Sequence, residues 1–385
     1  MRRRLGRIDE RSMVSKTVVI IGTRGYPSYY GGFETAVRKL APYLADRGWN
    51  VVVYGRAGST RPEDPGADRR VTPIQTRGLQ TKSLSTLSYG LTAVLDAARR
   101  DPDVALVMNC ANGYWLPILK SRRIPTLVNV DGMEWERAKW GQLAKFIFRT
   151  GARWTARFGS RMVYDAREIE RRWADDFQRD GDFIPYGGDV PPELPIEAGL
   201  QHRRYVLVVA RFVPENTIEE FLDATQALAQ KHDVVIVGSS GYGGELDAKV
   251  DAASKKNARI HWLGHISDDR RLLSLWQHAG AYFHGHSVGG TNPALVQAMA
   301  CGAPIVARDT VYNREVLADN ALFVEPAPGA IEEGISRLLA DSSLQQRLSD
   351  GAHERAVADY SWDSVCSSYE SSLDRLINAH QPKKK

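Results

Sequence analysis

Ala281-Tyr-Phe-His-Gly-His-Ser-Val-Gly-Gly-Thr-Asn-Pro-Ala-Leu-Val-Gln-Ala-Met-Ala300 is an apolar strand, a glycine-bearing loop and a helix in immediate succession. The strand is Ala281–His284, and the helix starts at about Pro293, whose fixed φ and missing N–H suit a first helical position. Gly289, Gly290, Thr291 and Asn292 bring bare backbone amides to that helix start, where free N–H groups and the positive dipole end favour an anion. A tight strand–helix connection would use the same residue types. The glycine pair, the helix start and the strand before them together favour the anion site.

The same alternation recurs outward in both directions. Thr17–Ile21, Asn50–Tyr54, Val104–Met108, Thr126–Val130 and Arg161–Tyr164 are short valine- and isoleucine-rich runs, each followed by a helical pattern. A second series comprises Tyr205–Ala210, Asp233–Val237, Ile260–Leu263, Ala281–His284 and Pro304–Ala307. Continuous apolar strands alternating with helices predict parallel sheets covered on both faces. The fold class is therefore α/β, with two Rossmann-like, doubly wound domains facing a cleft. A length of 385 residues agrees, because single cores stop growing beyond ~250–300 residues. The boundary falls at Phe183-Ile-Pro-Tyr-Gly-Gly-Asp189 and the proline-rich Val190–Gly199. The expected domains are residues 16–187 and 188–360, with a Trp-containing helix over 361–380.

Composition narrows the class. Hydrophobic residues make up 43% and charged residues 25%, ordinary for a globular chain able to bury large cores. The net charge of +5 fits a protein that handles phosphates, and no nucleic-acid module accompanies it. Cys110, Cys301 and Cys366 form no CxxC pair, which argues against a zinc site or disulfide framework and for a reducing compartment. The arginine-rich start lacks an apolar region, so no secretory signal is expected, and Met13 is a candidate start. No run of 18 apolar residues suggests a membrane span.

Ligands in open α/β sheets bind beyond the carboxyl ends of the strands, so those loops matter most. The first is Gly22-Thr-Arg-Gly-Tyr-Pro-Ser-Tyr-Tyr-Gly-Gly-Phe-Glu34, with Gly31 and Gly32 just before a helix. Its spacing is not GxGxxG, which disfavours a dehydrogenase. Arg24 and Tyr26 are candidates for substrate contact there. Arg211 leaves the next domain's first strand, well placed to neutralise a diphosphate. Asp131, Glu134 and Glu136 follow the strand Thr126–Val130. A carboxylate here is as well suited to orienting a hydroxyl or accepting its proton as to capping the next helix. Asp101-Pro-Asp103 precedes a strand and is turn chemistry, while His284 and His286 lack a third ligand; no metal is expected. From Arg137 to Arg172 ten Lys/Arg face three acids, and Lys145, Arg149, Arg153 and Arg157 share one helical stripe flanked by Phe146, Phe148, Trp154 and Phe158. That stripe is either a solvated face or a patch for anionic lipid.

Together these loops resemble family 4 glycosyltransferases of the GT-B fold, and more narrowly the branch of bacterial polysaccharide rhamnosyltransferases. The resemblance rests on Gly22–Glu34, Asp131–Trp140, Ile184–Asp189, Arg211–Asn216 and Gly289–Gly302, within about residues 16–375. It implies an acceptor on the first domain, a nucleotide-sugar donor on the second, and a last helix crossing back to the first. It also implies metal-independent transfer with retention, without a cofactor beyond a dTDP- or UDP-linked donor. By position, Gly31, Gly32, Arg211, Asn216, Gly289, Gly290, Thr291, Asn292 and Gln297 would hold the donor, Gln297 through a ribose hydroxyl. Arg24, Tyr26 and Glu134 would meet the acceptor, and Asp131 and Arg211 would serve the chemistry. The sequence departs from the broad family where its Glu-x7-Glu pattern falls on Gly289 and Gln297, and where a lysine is replaced by Asn216. The expected setting is the cytoplasm, with peripheral contact to an anionic membrane and a glycan or lipid-linked acceptor. The alternatives are a nucleotide-sugar epimerase and a catalytically weak nucleotide-sugar binder.

Overall fold

The central strands are buried on both faces, and that fixes the layering. In the computed structural model, which describes residues 15–380 apart from residues 30, 61, 62, 80–84, 138, 139 and 242, Val18, Val19, Ile20 and Ile21 are all fully enclosed. Successive side chains point to opposite faces. Val18 and Ile20 therefore join Val37, Leu40 and Leu44 of the helix Gly32–Asp46 on one side. Val19 and Ile21 join Val94, Leu116 and Trp173 on the other. The arginine-rich start, Met13, Lys139 and the terminal lysines lie outside the described residues.

The first sheet contains β1 (Thr17–Ile21), β2 (Asn50–Arg56), β3 (Val71–Thr76), β4 (Val104–Met108), β5 (Thr126–Asn129), β6 (Arg161–Tyr164) and β7 (Gly181–Phe183). Its order is β3-β2-β1-β4-β5-β6-β7, and every pairing is parallel. The second contains β8 (Tyr205–Val209), β9 (Asp233–Val237), β10 (Ile260–Gly264), β11 (Ala281–His284), β12 (Ile305–Arg308) and β13 (Leu322–Val324), in the order β10-β9-β8-β11-β12-β13, again parallel. These are two doubly wound, Rossmann-like α/β domains. Strand order reverses between β1 and β4, and between β8 and β11, so the loops after those strands flank the two crevices.

Three strands escape the sequence reading: β3, β7 and β13. All lie at sheet edges, where a strand needs less apolar surface; β3 contains Pro73 and is mostly exposed or half-buried, and β7 and β13 have three residues each.

The chain crosses between the domains twice, side by side. Gly188 N–H donates to Tyr360 O (2.9 Å), and Gly188 bridges Ser361 in parallel. Trp362 packs so tightly on Gly187 that a Cβ there would lie 2.7 Å from the indole. The last helix, Trp362–His380, then buries Trp362, Val365, Tyr369, Leu373, Leu376 and Ile377 in the first domain's core. At ~1.5–3 kcal/mol per large apolar side chain, that contact assigns the helix to the first domain although it follows the second in sequence.

Candidate functional site

The two glycine loops meet across the cleft. Gly31 caps the helix Gly32–Asp46, with Thr35 N–H donating to its carbonyl (3.0 Å). A Cβ on Gly32 would lie 3.3 Å from Pro293 Cγ and 3.2 Å from the Tyr186 hydroxyl. The first turn is closed internally: Glu34 is buried and Oε1 accepts from Arg24 N–H (3.0 Å). Tyr26 takes a different place from the one its loop suggested. Its ring is buried in the core and its hydroxyl accepts from Asp68 N–H (3.1 Å), so it shapes the loop from beneath rather than facing an acceptor.

The opposite wall is the loop after β11. Gly289 has φ +102°, and a Cβ on Gly132 would stand 3.2 Å from its Cα. The segment beginning at Asp131 thus touches the second domain directly. Thr291, expected to serve the donor, is engaged by the first domain instead: its amide (3.2 Å) and its hydroxyl both donate to Asp165 O. Asn292 Oδ1 caps the helix Pro293–Ala300 by accepting from Ala294 N–H (2.9 Å). Gln297 is likewise committed elsewhere. Its Oε1 accepts from Asp189 N–H (3.0 Å) and its Nε2 donates to Asp189 O (2.7 Å), so it clamps the interdomain crossing instead of standing free for a ribose. Asn216 donates through Nδ2 to Arg211 O (2.9 Å), shaping the turn that presents the exposed Arg211.

Charge concentrates around a residue that sequence reading counted only as part of a basic run. Arg137 is largely buried, with Nε 2.5 Å from Glu134 Oε1. Burial works against its charge, but Glu134, Asp131, Glu215 and Asp165 outweigh it and hold the guanidinium firmly protonated. Glu134 also accepts from Trp140 Nε1 (2.9 Å), so both its oxygens are engaged locally; it organises Arg137 rather than projecting toward an acceptor. Asp131 sits at φ +62°, with its N–H bonded to Asn129 Oδ1 (3.0 Å) and Oδ2 accepting from Asn109 Nδ2 (3.2 Å). Asn109, just after β4, is left-handed too at φ +72°. Such backbone strain at two neighbouring strand ends typically accompanies a functional constraint.

His286 also enters the site. It stacks on His284 (4.4 Å, 10°), and burial, then Arg211 and Arg137, push its imidazole down to about 3, which keeps it neutral. Asp165, immediately after β6, is the other residue sequence reading missed. It was audible in one signal: it occupies a strand's carboxyl end, as Asp131 does. Asp103, by contrast, accepts from Thr17 N–H through Oδ2 (2.7 Å) at the opposite sheet end. Among the described residues no three His, Cys, Asp or Glu converge as a metal site.

The chemistry available here is anion binding beside two aspartyl carboxyl groups. Arg211, Arg137 and the amides of Gly289 and Gly290 suit a phosphate; Asp131 and Asp165 suit hydroxyl groups. The helix Gln142–Phe158 leads away from this rim, Trp140 contacting Phe148 (5.3 Å). It exposes Leu143 (74%), Phe146 (64%) and Trp154 (40%) beside Arg149, Arg153 and Arg157. Among the described residues no helix is long and apolar enough to cross a membrane.

Comparison with known proteins divides the chain at the same crossing. Residues 194–355 match the family described as Glycosyl transferases group 1, and residues 15–189 match a domain of unknown function. The phosphatidyl-myo-inositol mannosyltransferase of Mycobacterium tuberculosis is 27% identical over 213 residues, 52% of this chain and 56% of that protein. The chain spans about half the length of the curated relatives it matches. The sucrose-phosphate synthase of Thermosynechococcus elongatus has the same fold, with a TM-score of 0.78 at 18% identity, covering 94% of this chain and 100% of that one. The Anabaena protein HepE, solved in complex with UDP, gives 0.72 at 17% identity, with 94% and 100% covered. The arrangement of two facing Rossmann-like domains is the GT-B architecture.

Proposed function

We propose, from the match of residues 194–355 to the group 1 glycosyl transferases, that this chain transfers a hexose, rhamnose being the first candidate, from a UDP- or dTDP-linked donor to a glycan or lipid-linked acceptor during cell-surface polysaccharide synthesis. The observation that carries this reading is the meeting of first-domain glycines with the loop after β11 across the cleft, Gly32 on Pro293 and Gly132 on Gly289, with Arg137 and Arg211 beside them. Bare backbone lets a diphosphate approach both helix starts closely, and the two guanidinium groups neutralise it.

As the bond from the anomeric carbon to the phosphate oxygen breaks, negative charge grows on the departing diphosphate and positive charge on the sugar ring. Arg211, Arg137 and the Gly289 and Gly290 amides stabilise the first, without a metal ion. The acceptor hydroxyl attacks from the face the diphosphate leaves, giving retention, and its proton passes to the departing phosphate or to Asp131. Closure of the cleft excludes water and limits hydrolysis of the donor. The exposed apolar and basic face of Gln142–Phe158, at the rim of the site, suits peripheral contact with the anionic inner surface of a membrane, where a lipid-linked acceptor resides.

A thermal-shift screen of UDP, dTDP and GDP with their sugars tests this directly. The cognate pair raises the melting temperature by linkage, and Arg211→Ala lowers transfer by about 100-fold or more, as loss of a transition-state anion partner does. Near-wild-type turnover of that variant at saturating donor would overturn the assignment. Nucleotide release without any acceptor would favour the epimerase alternative.

A further inference from the structure

Asp165 follows β6 directly, in a position no step above requires. It is 3% exposed, and its carboxyl lies directly over Gly290: a Cβ there would stand 2.0 Å from Oδ1 and 2.7 Å from Oδ2. Oδ1 has no hydrogen-bond partner among the described residues. The loop Gly285–Pro293 contributes no carboxylate of its own, yet this one is set against its bare backbone from the opposite domain. Asp131 and Arg137 are close enough to shift its titration, so the group lies among the residues assigned to the donor and the transfer step. Its main chain is fixed from both sides: Asp165 O receives both Thr291 bonds, and Arg167 N–H, two residues on, donates to Glu315 Oε1 (2.7 Å).

We propose that Asp165 is a specificity-determining residue whose carboxyl binds a hydroxyl of the donor's sugar over Gly290. This deepens the glycosyltransferase reading and rests on it. A buried carboxyl oxygen without a partner is costly, and a sugar hydroxyl, both donor and acceptor, satisfies it in either protonation state. Burial and Asp131 push the carboxyl up to about 8, so near neutral pH it also donates a hydrogen bond of its own. Glycine at position 290 is then required because any side chain would displace the carboxyl.

Because the interdomain bonds of Asp165 run through its carbonyl, substitution of the side chain isolates the carboxyl. Calorimetric titration of the whole chain with UDP, UDP-glucose, dTDP, dTDP-rhamnose, GDP and GDP-mannose provides the test. Asp165→Ala is expected to weaken the tightest nucleotide-sugar by about tenfold or more, the scale of a lost hydrogen bond to a carboxyl, while the matching bare diphosphate binds within about twofold of wild type. Asp165→Asn, which keeps one acceptor and gains donors, restores part of the loss. Equal weakening of diphosphate and nucleotide-sugar, or no change in either, overturns the inference and leaves the glycosyltransferase reading standing. So does a wild-type protein that takes the diphosphates but none of the sugar-linked forms. If wild type binds no nucleotide at all, the glycosyltransferase reading itself fails, and the role of Asp165 with it.

Discussion

The Asp165 carboxyl occupies the space a Gly290 side chain would fill, and its environment makes it a pH-sensitive group. Burial first, then Asp131, and more weakly Glu315, raise it to about 8, while its own backbone N–H and, more weakly, Arg137 oppose them. An unfolded aspartate titrates near ~3.9, so between there and about 8 the folded protein holds a proton that the unfolded chain has released. Stability from this group is complete below the unfolded value and declines as pH rises through the window. Urea midpoints at mildly acidic and mildly alkaline pH should therefore fall with pH in wild type. Asp165→Asn, which cannot ionise, should show a flatter slope; an unchanged slope would mean that the carboxylate finds a partner in solution. Residues of this kind are the hardest to read from sequence. Arg211 and Asp131 stand out as candidates in the sequence because each lies at the carboxyl end of an apolar run. Arg137 and His286 acquire their significance only from carboxylates or guanidinium groups supplied by distant segments. Thr291 and Gln297 look like ligand groups until Asp165 and Asp189 arrive from elsewhere to engage them.

At the scale of elements, periodicity carried most of the information. Ten strands were visible as buried apolar runs, and the edge strands β3, β7 and β13 were not, since their pairing depends on a neighbour rather than on their own residues. The helix Gln142–Phe158 was visible as a basic stripe, but whether its apolar residues faced the core was undecidable from spacing. The fold turns Leu143, Phe146 and part of Trp154 outward while Ala152 and Thr155 pack inward. The proposed membrane contact would use these exposed apolar side chains together with the neighbouring arginines. Sedimentation with phosphatidylglycerol vesicles is expected to retain the protein at low salt and release it at high salt, since each basic residue near such a surface contributes about 1 kcal/mol. Arg149→Glu with Arg153→Glu should lower binding by about tenfold or more. Phe146→Ser with Leu143→Ser should weaken the salt-resistant part by about 100-fold or more, at ~1.5–3 kcal/mol per large apolar group removed. Equal binding by all variants would assign the face to solvent alone.

At the scale of the whole molecule, closure rests on a small number of bonds opposite a narrow double crossing. On the crossing side, Gln297 and Lys39 both hold Asp189, the latter at 2.7 Å, and Gly188 lies against Tyr360. On the mouth side, Thr291 meets Asp165, and Glu315 reaches across to the first amides of the helix Arg167–Phe177 (2.7 Å to Arg167 N, 3.4 Å to Glu168 N). Tyr312 of the same Glu315 helix packs against the aromatic layer of the first domain. The exposed Arg38–Asp269 pair (3.5 Å) adds little, because such pairs contribute about 0–1 kcal/mol. Loss of a helix-capping carboxylate costs ~0.5–2 kcal/mol and loss of a side-chain hydrogen bond ~0.5–1.5 kcal/mol. Glu315→Ala combined with Thr291→Val should thus shift the balance from closed toward open by roughly tenfold, since ~1.4 kcal/mol is a factor of ten. Small-angle scattering should report a larger radius of gyration for the double variant than for wild type. The helix Arg167–Phe177 and both sheets keep their own cores, so circular dichroism should be nearly unchanged. A nucleotide-sugar bound between both walls, as proposed, should draw the variant back toward the wild-type radius, because a ligand favours whichever state it touches more extensively. A variant that scatters like wild type without ligand would locate the closing force in the Tyr312 packing instead, and Tyr312→Ala would then be the substitution that opens the cleft.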